Sequence, residues 1–459
     1  MGQRDGRPTD AEVSAGELVS LVCCDLGAIV RGRSLLSGEL NGKLGVGWVP
    51  ANHALTPLGP VAEPNPFGST GDLRLLPDID TRVRLDGGGQ ERPLELLLCD
   101  IVETDGRPWE CCPRRFLRET LGQLRSALDI HVVASFEHEF QLVGWPTTGC
   151  AGGAADRSPP ALPFSLEAQR RAEPFATDVM NALVEAGVEP ERFFPEYAAH
   201  QFEIPVAPAE GLASADRAVI LREVVREVAR RRGARASFAP LRDPAEAGNG
   251  VHIHVDLRDA AGRSMLYDAR RPAALSQFGE RFAAGILEHA RALSALTAPS
   301  PISAERLQPH RWSAGAVCLG ERNREALLRI PPLISLGGAE EAGQLRLEYR
   351  GADASANPYL ALAAIIRAGL DGLQRELPAP PLLDRDPAQL DGTEAERYGV
   401  GGLPASLAES LQALADDDVA AGWMGSLFYD AYVSVKRAEI AGTADMDLEE
   451  ACARYGEIY

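Results

Sequence analysis

Four otherwise apolar segments of this chain carry ionisable residues in pairs, and that pattern restricts the fold more than any other feature. Glu137 and Glu139 stand two apart in ASFEHEFQLV, His252 and His254 in GNGVHIHVDL, and Glu348 and Arg350 in QLRLEYRG. Arg346 lies one further step along the same face as Glu348. On a β-strand, residues i and i+2 share a face, so each pair projects together. Glu196 and Glu203 in PEYAAHQFEI are seven apart, which would put them on opposite faces of a straight strand. The AAHQ stretch between them must therefore turn or bulge if they are to meet. One such pair is most simply a solvated strand face; four in one chain point to a shared polar interior.

If the acids converge, they demand a cation. Two carboxylates about 4 Å apart repel by roughly 4 kcal/mol at an effective dielectric of 20. Crowded glutamates either bind metal or take up protons. Carboxylates with a single imidazole suit Mg²⁺ or Mn²⁺ rather than zinc, and no cysteine belongs to these pairs. Arginine supplies the opposite charge: Arg306, Arg324, Arg329, Arg346 and Arg350 all lie within residues 306–350. Metal ions bridging phosphate oxygens, with arginine forks on the remaining charge, are the equipment of phosphoryl transfer.

Composition narrows the classes further. Lysine occurs only at Lys43 and Lys436, so phosphate chemistry must rest on arginine, backbone N–H groups and metal. No G-x-x-x-x-G-K-[ST] loop occurs. The net charge of −20 disfavours a nucleic-acid or anionic-membrane surface. Eight cysteines without a C-x-x-C spacing fit free thiols in a reducing compartment. The first twenty residues have no apolar core and no run of 18 apolar residues exists, so a cytoplasmic protein is expected.

Patterning predicts an α+β protein, with strands in separated pairs and helices between them. Residues 1–15 read as a tail, 16–110 as a small β-rich domain and 111–459 as a large mixed domain. Strands are expected at 18–36 (two, around a turn at Asp25–Gly27), 94–103, 131–145, 193–206, 235–241, 250–258 and 344–350. Residues 45–77 look too irregular for regular elements, and 146–164 reads as an exposed loop. Helices are expected at 114–128, 166–187, 213–233, 405–416 and 424–441, with a long one over 273–297 and another from Asn357.

These residues resemble the glutamine synthetase superfamily over nearly the whole chain. The matching pieces are FEHEF, PEYAAHQFEI, GNGVHIH, the ERLQP and NREALLRIP segment, and LRLEYRGADASANPYLALAAIIRAGLDG. The resemblance implies a β-grasp-like N-terminal domain beside a catalytic domain with a curved antiparallel sheet, a half-barrel flanked by helices. It implies stacked rings of subunits with active sites at their interfaces. Glu139, Glu196 and Glu203 match ligands of the metal nearest the substrate carboxylate; Glu137, His252 and Glu348 match ligands of the metal bridging the ATP phosphates. Two or three Mg²⁺ or Mn²⁺ ions per site are implied. Glu191 and His254 fall where the family contacts nucleotide, and Arg324, Arg329 and Arg346 match its phosphate-handling arginines. Arg306 and Arg350, with Glu139 and Gly248, match the glutamate site, and Arg324 and Glu196 are cast as catalytic.

The departures concern the nitrogen donor. Ammonia-using members carry a Glu on a mobile loop six residues after the arginine matching Arg306; here that position is Trp312. The family's Asp-Gly-Ser-Ser loop is replaced within GWVPANHAL, which contains no acid, and its Asn-Gly pair becomes Ala247-Gly248. A buried ammonium without partners is costly, whereas an indole can pack on an alkyl chain or face its cation. The expected activity is ATP-dependent joining of glutamate to an amine through a γ-glutamyl phosphate. The alternatives are an ammonia-using glutamine synthetase, a non-catalytic structural or regulatory relative, and a ligase acting on another acid.

Overall fold

The computed structural model describes residues 16–40, 42–87, 92–145 and 161–459, in an α+β arrangement of two sheets. The expected tail, 1–15, and residues 146–160 of the expected loop lie outside them. Exposed Leu162 and Phe164 continue that loop.

The first sheet has six strands. In order they are Val30–Leu36, Leu18–Cys24, Leu94–Glu103, Leu73–Pro77 and Val46–Trp48, with Val83–Leu85 also pairing Leu94–Glu103. Leu94–Glu103 is central and almost wholly buried, which is why it reads as an unbroken apolar run. Leu18–Cys24 runs parallel to it, and the remaining pairs are antiparallel. The expectation of no regular elements over 45–77 is corrected here. Val46–Trp48 and Leu73–Pro77 pair with each other, being too short and too far apart in sequence to show a period of their own.

The second sheet has ten strands and carries the charged pairs. Its order is Leu382–Leu383, Ala316–Glu321, Ala326–Ile330, Leu347–Ala352, Val251–Arg258, His131–Val143, Gln201–Ile204 and Phe194–Pro195, with Ala209–Glu210 and Arg235–Ser237 also pairing His131–Val143. The centre is antiparallel, and Ala316–Glu321 joins both its neighbours in parallel. His131–Val143 shows the alternation most plainly. Val132, Ala134, Phe136, His138, Phe140 and Leu142 are buried on one face, while Glu137 and Glu139 point to the other. His138, between the two glutamates, belongs to the buried face, where desolvation pushes its pKa down to about 3.

Behind this sheet lie helices Gly211–Arg231 and Pro358–Gln374, the second capped by the Asn357 side chain and apolar nearly all round. Helix Gln277–Glu288 crosses the latter so closely that a Cβ on Gly285 would lie 2.1 Å from the Ala368 carbonyl oxygen. The long helix expected over 273–297 is two, Gln277–Glu288 and Ala290–Thr297. They break at His289, whose buried ring is held by Asp417 (2.6 Å) and Asp371 (3.0 Å). The strand expected over 235–241 is only Arg235–Ser237, after which the chain turns toward the site.

The two sheets are joined by buried polar contacts. The Asn357 amide donates to the carbonyls of Cys24 and Asp25. Arg114 makes a two-pronged pair with Asp216 (2.9 and 2.8 Å) and also reaches Asp78 and Asp100. The seven described cysteines are all free and buried.

Candidate active site

Strand register builds the site. His252 lies opposite Glu137, His254 opposite Glu348, Glu139 opposite Glu203, and Arg329 opposite Glu348. Side chains directly across an antiparallel pair are near neighbours on the same face. Five strands thus deliver their charged residues to one side of the sheet, where Glu137, Glu139, Glu196, Glu203, His252 and Glu348 all line a cavity of about 390 Å³.

Within it, Glu137, His252 and Glu348 form a tight group whose candidate ligand atoms lie within 4.8 Å of one another. His252 Nδ1 is 3.3 Å from Glu137 Oε2 and 3.8 Å from Glu348 Oε1. Glu348 also accepts from Arg329 Nη1 (2.7 Å) and Arg350 Nη1 (2.6 Å). Burial opposes its charge, but His252, His254, Arg350 and Arg329 hold its pKa down to about 2. The Glu137 carboxyl, also against its burial, is held well below the usual range by His254 and His252.

Glu139, Glu196 and Glu203 form the second group. The odd spacing of the last two is resolved by a hairpin: Phe194–Pro195 pairs with Gln201–Ile204, and Glu196 N–H donates to the Gln201 carbonyl. His200 takes the left-handed backbone conformation (φ 55°) at the turn. Burial and Glu139 push Glu196 up to about 8. Burial and the surrounding glutamates raise Glu203 well above the carboxylate range.

That imbalance tests the fit of a divalent cation. Acids forced toward protonation by one another are groups that a cation among them would return to the ionised state. Oxygen donors with one imidazole, and no thiol, suit Mg²⁺ or Mn²⁺. The residues present therefore fit such ions.

Arg306, Arg324, Arg329 and Arg350 line the same cavity, as do Gly248 and Trp312. Arg306 is buried, donates to the Ala352 carbonyl (2.8 Å), and leaves its Nε without a partner among the described residues. A Cβ on Gly248 would lie 2.7 Å from Arg306 Cγ, so glycine there lets the arginine pass. Arg350 also bonds the carbonyls of Arg324 (3.0 Å) and Trp312 (3.4 Å), fixing the chain between the two.

Three expected site residues do not line the cavity. Glu191 is exposed outside it. His254 and Arg346 pair with each other, Arg346 Nε donating to His254 Nδ1 at 3.0 Å. His254 Nε2 then comes within 3.0 Å of Glu137 Oε1, off the line of a proper hydrogen bond. The GWVPANHAL segment also stays away from the cavity.

Trp312, expected at the nitrogen-donor site, meets neighbours that the sequence did not reveal. Trp312 (φ 58°, 55% exposed) stacks on Tyr197 with centroids 4.6 Å apart and planes 11° apart. Phe164 meets Tyr197 edge-on at 5.0 Å. Arg192, Arg311 and Gln201 also line the cavity. Gln201 was detectable, being two residues before Glu203 on one strand; the aromatic contacts, far apart in sequence, carried no signal.

Comparison with known proteins agrees with this geometry. Residues 110–451 match the model of the glutamine synthetase catalytic domain, and residues 7–109 that of the glutamine synthetase N-terminal domain. The chain is 34% identical to the gamma-glutamylpolyamine synthetase GlnA3 of Streptomyces coelicolor, covering 99% of this chain and 97% of that protein. It is 33% identical to the glutamine synthetase of Thermus thermophilus, covering 80% of this chain and 81% of that one. A crystal structure of a novel glutamine synthase homolog superposes with a TM-score of 0.88 at 45% identity, covering 97% and 99% of the two chains. A GmaS/ADP complex superposes at 0.78 with 28% identity, covering 95% of each.

Proposed function

The chain belongs to the glutamine synthetase family, and on that premise we propose that it joins the γ-carboxyl of glutamate to an organic amine at the expense of ATP. Carbon–nitrogen ligation with ATP and divalent metal is the chemistry of this family. The observation that carries the choice of amine is the stacked pair Trp312–Tyr197 in the cavity wall, at the position where ammonia-using members carry an acid. A flat aromatic surface packs on methylene groups and attracts an organic ammonium, while offering bare NH₄⁺ few hydrogen-bond acceptors. The likeness to a gamma-glutamylpolyamine synthetase supports the same reading.

Glu137, His252 and Glu348 would hold one divalent ion, and Glu139, Glu196 and Glu203 a second. Such ions supply charge neutralisation at the phosphate and carboxylate oxygens. Arg324 and Arg329 face the transferring phosphoryl group, and buried Arg306, with Arg350, receives the substrate carboxylate. The γ-carboxylate oxygen bonds to the γ-phosphorus as ADP leaves. The ammonium first gives a proton to a cavity carboxylate, the freed nitrogen lone pair bonds to the acyl carbon, and phosphate departs carrying the second N–H proton. Glu191, His254 and Arg346 stand beside this machinery. We place the boundary between the two sheet units at 110/111. We also infer a ring-forming homo-oligomer, consistent with GWVPANHAL lying away from its own chain's cavity.

The test is phosphate release with glutamate, ATP and Mg²⁺ against a panel of alkylamines, diamines, polyamines and ammonia. Selective turnover with organic amines is expected. Equal or better turnover with ammonia would reassign the protein to glutamine synthesis.

A further inference from the structure

Gln201 is the most heavily bonded neutral side chain in the cavity wall, and nothing in the ligand sets above employs it. It is 2% exposed. Its Oε1 accepts from Ala198 N–H at 2.8 Å, closing the turn between Glu196 and Glu203. Its Nε2 faces the Gly248 carbonyl (2.9 Å), Asn249 Oδ1 (3.0 Å) and Glu139 Oε2 (3.3 Å). A backbone N–H on one side and a backbone carbonyl on the other fix which way the amide points.

These partners come from three separate stretches of chain. Ala198 belongs to the hairpin bearing Glu196 and Glu203, and Glu139 to the central strand. Gly248 and Asn249 belong to the loop beside Arg306, anchored in turn by Asn249 bonding the Ala239 carbonyl (2.8 Å). Glu139 Oε2 takes a second bond from Gly250 N–H at 2.8 Å. The two amide hydrogens of Gln201 serve three acceptors, so Glu139 Oε2, the farthest, is held by Gly250 N–H and by a shared Gln201 hydrogen, leaving Oε1 for other partners. We propose that Gln201 is a positioning residue that locks Glu139 and the Gly248 carbonyl into one fixed relation, so that the metal nearest the substrate and the substrate's amino-acid end are placed together. This rests on the function proposed above. Its distinguishing consequence is that loss of Gln201 harms metal and glutamate binding while sparing the nucleotide.

The experiment compares wild type with Gln201→Met, which keeps the volume and adds no charge. Mn²⁺ binding without substrates is read from the free-ion EPR signal, and KM for glutamate and for ATP from phosphate release. Mn²⁺ affinity should fall and glutamate KM rise by roughly tenfold or more, the scale of a hydrogen bond to a charged group, with ATP KM within about twofold. Gln201→Glu, which retains the acceptor for Ala198, serves if the first variant does not fold. Unchanged Mn²⁺ and glutamate constants, or equal losses for glutamate and ATP, would overturn the proposal. If the wild type itself releases no glutamate-dependent phosphate, the ligase reading fails, while the Mn²⁺ comparison still decides the role of Gln201.

Discussion

His252 and Glu137 face each other across the central antiparallel pair, and the imidazole Nδ1 ends 3.3 Å from the carboxylate. Glu348 approaches the same nitrogen from the strand on the other side of His252, at 3.8 Å. The imidazole is thus the middle of a three-strand contact and brings its two acids within reach of one ion.

Replacing His252 with alanine should therefore weaken divalent-ion binding by on the order of tenfold to a hundredfold or more, and lower turnover with it. Mn²⁺ titration followed by EPR checks this. An unchanged isotherm would remove His252 from the ion site.

Trp312 should matter to the amine and not to ATP. Trp312→Ala removes the face stacked on Tyr197, and a contact worth about 0.5–2 kcal/mol corresponds to a roughly two- to thirtyfold rise in amine KM. Steady-state kinetics with amine and ATP varied separately reads the difference. Parallel rises for both would indicate a general disturbance of the loop.

His53 should make the fold acid-sensitive. It is fully buried, and desolvation pushes its pKa down to about 3, outweighing the Cys111 backbone contact that raises it. The unfolded chain binds its proton near pH 6.5, so this stabilisation is complete above that pH and is lost as pH falls toward 3. The slope is at most about 1.4 kcal/mol per pH unit for one such group. In denaturant melts between pH 7 and 4, His53→Phe should show a shallower loss of stability than wild type; identical slopes would contradict the assignment.

Arg114 should be a stability residue. It is 3% exposed and bonds Asp216, Asp78 and Asp100. Arg114→Met leaves Asp216 and Asp78 without this cation, while Asp100 keeps Arg118 at 2.7 Å, and breaking a buried pair costs roughly 3–5 kcal/mol. A fall in denaturation midpoint of that scale is expected, and a change within 1 kcal/mol would refute the argument.

What could be read from the chain beforehand divides along physical lines. The two-residue period fixes a shared face wherever a strand is correctly recognised, so the Glu137/Glu139 and Glu348/Arg350 pairs were legible as cavity-facing. The odd Glu196–Glu203 spacing demanded a bend, and the hairpin at His200 supplies it. Contacts set by packing left no such trace. His254 shares a strand with His252 but is taken up by Arg346. Trp312 meets Tyr197 only because two loops converge. The break at His289 depends on Asp371 and Asp417, both distant in sequence, while the flanking residues keep their helical period.

The central strand, His131–Val143, touches Val251–Arg258, Gln201–Ile204, Ala209–Glu210 and Arg235–Ser237. Its phase is consequently common property. A single residue inserted between Val133 and Phe136 would rotate Glu137 and Glu139 into the helix layer and turn His138 outward, unless the strand slipped against all four neighbours at once. Lengthening is tolerable in the outer loops, but here one extra amino acid would exchange the wet side for the dry one.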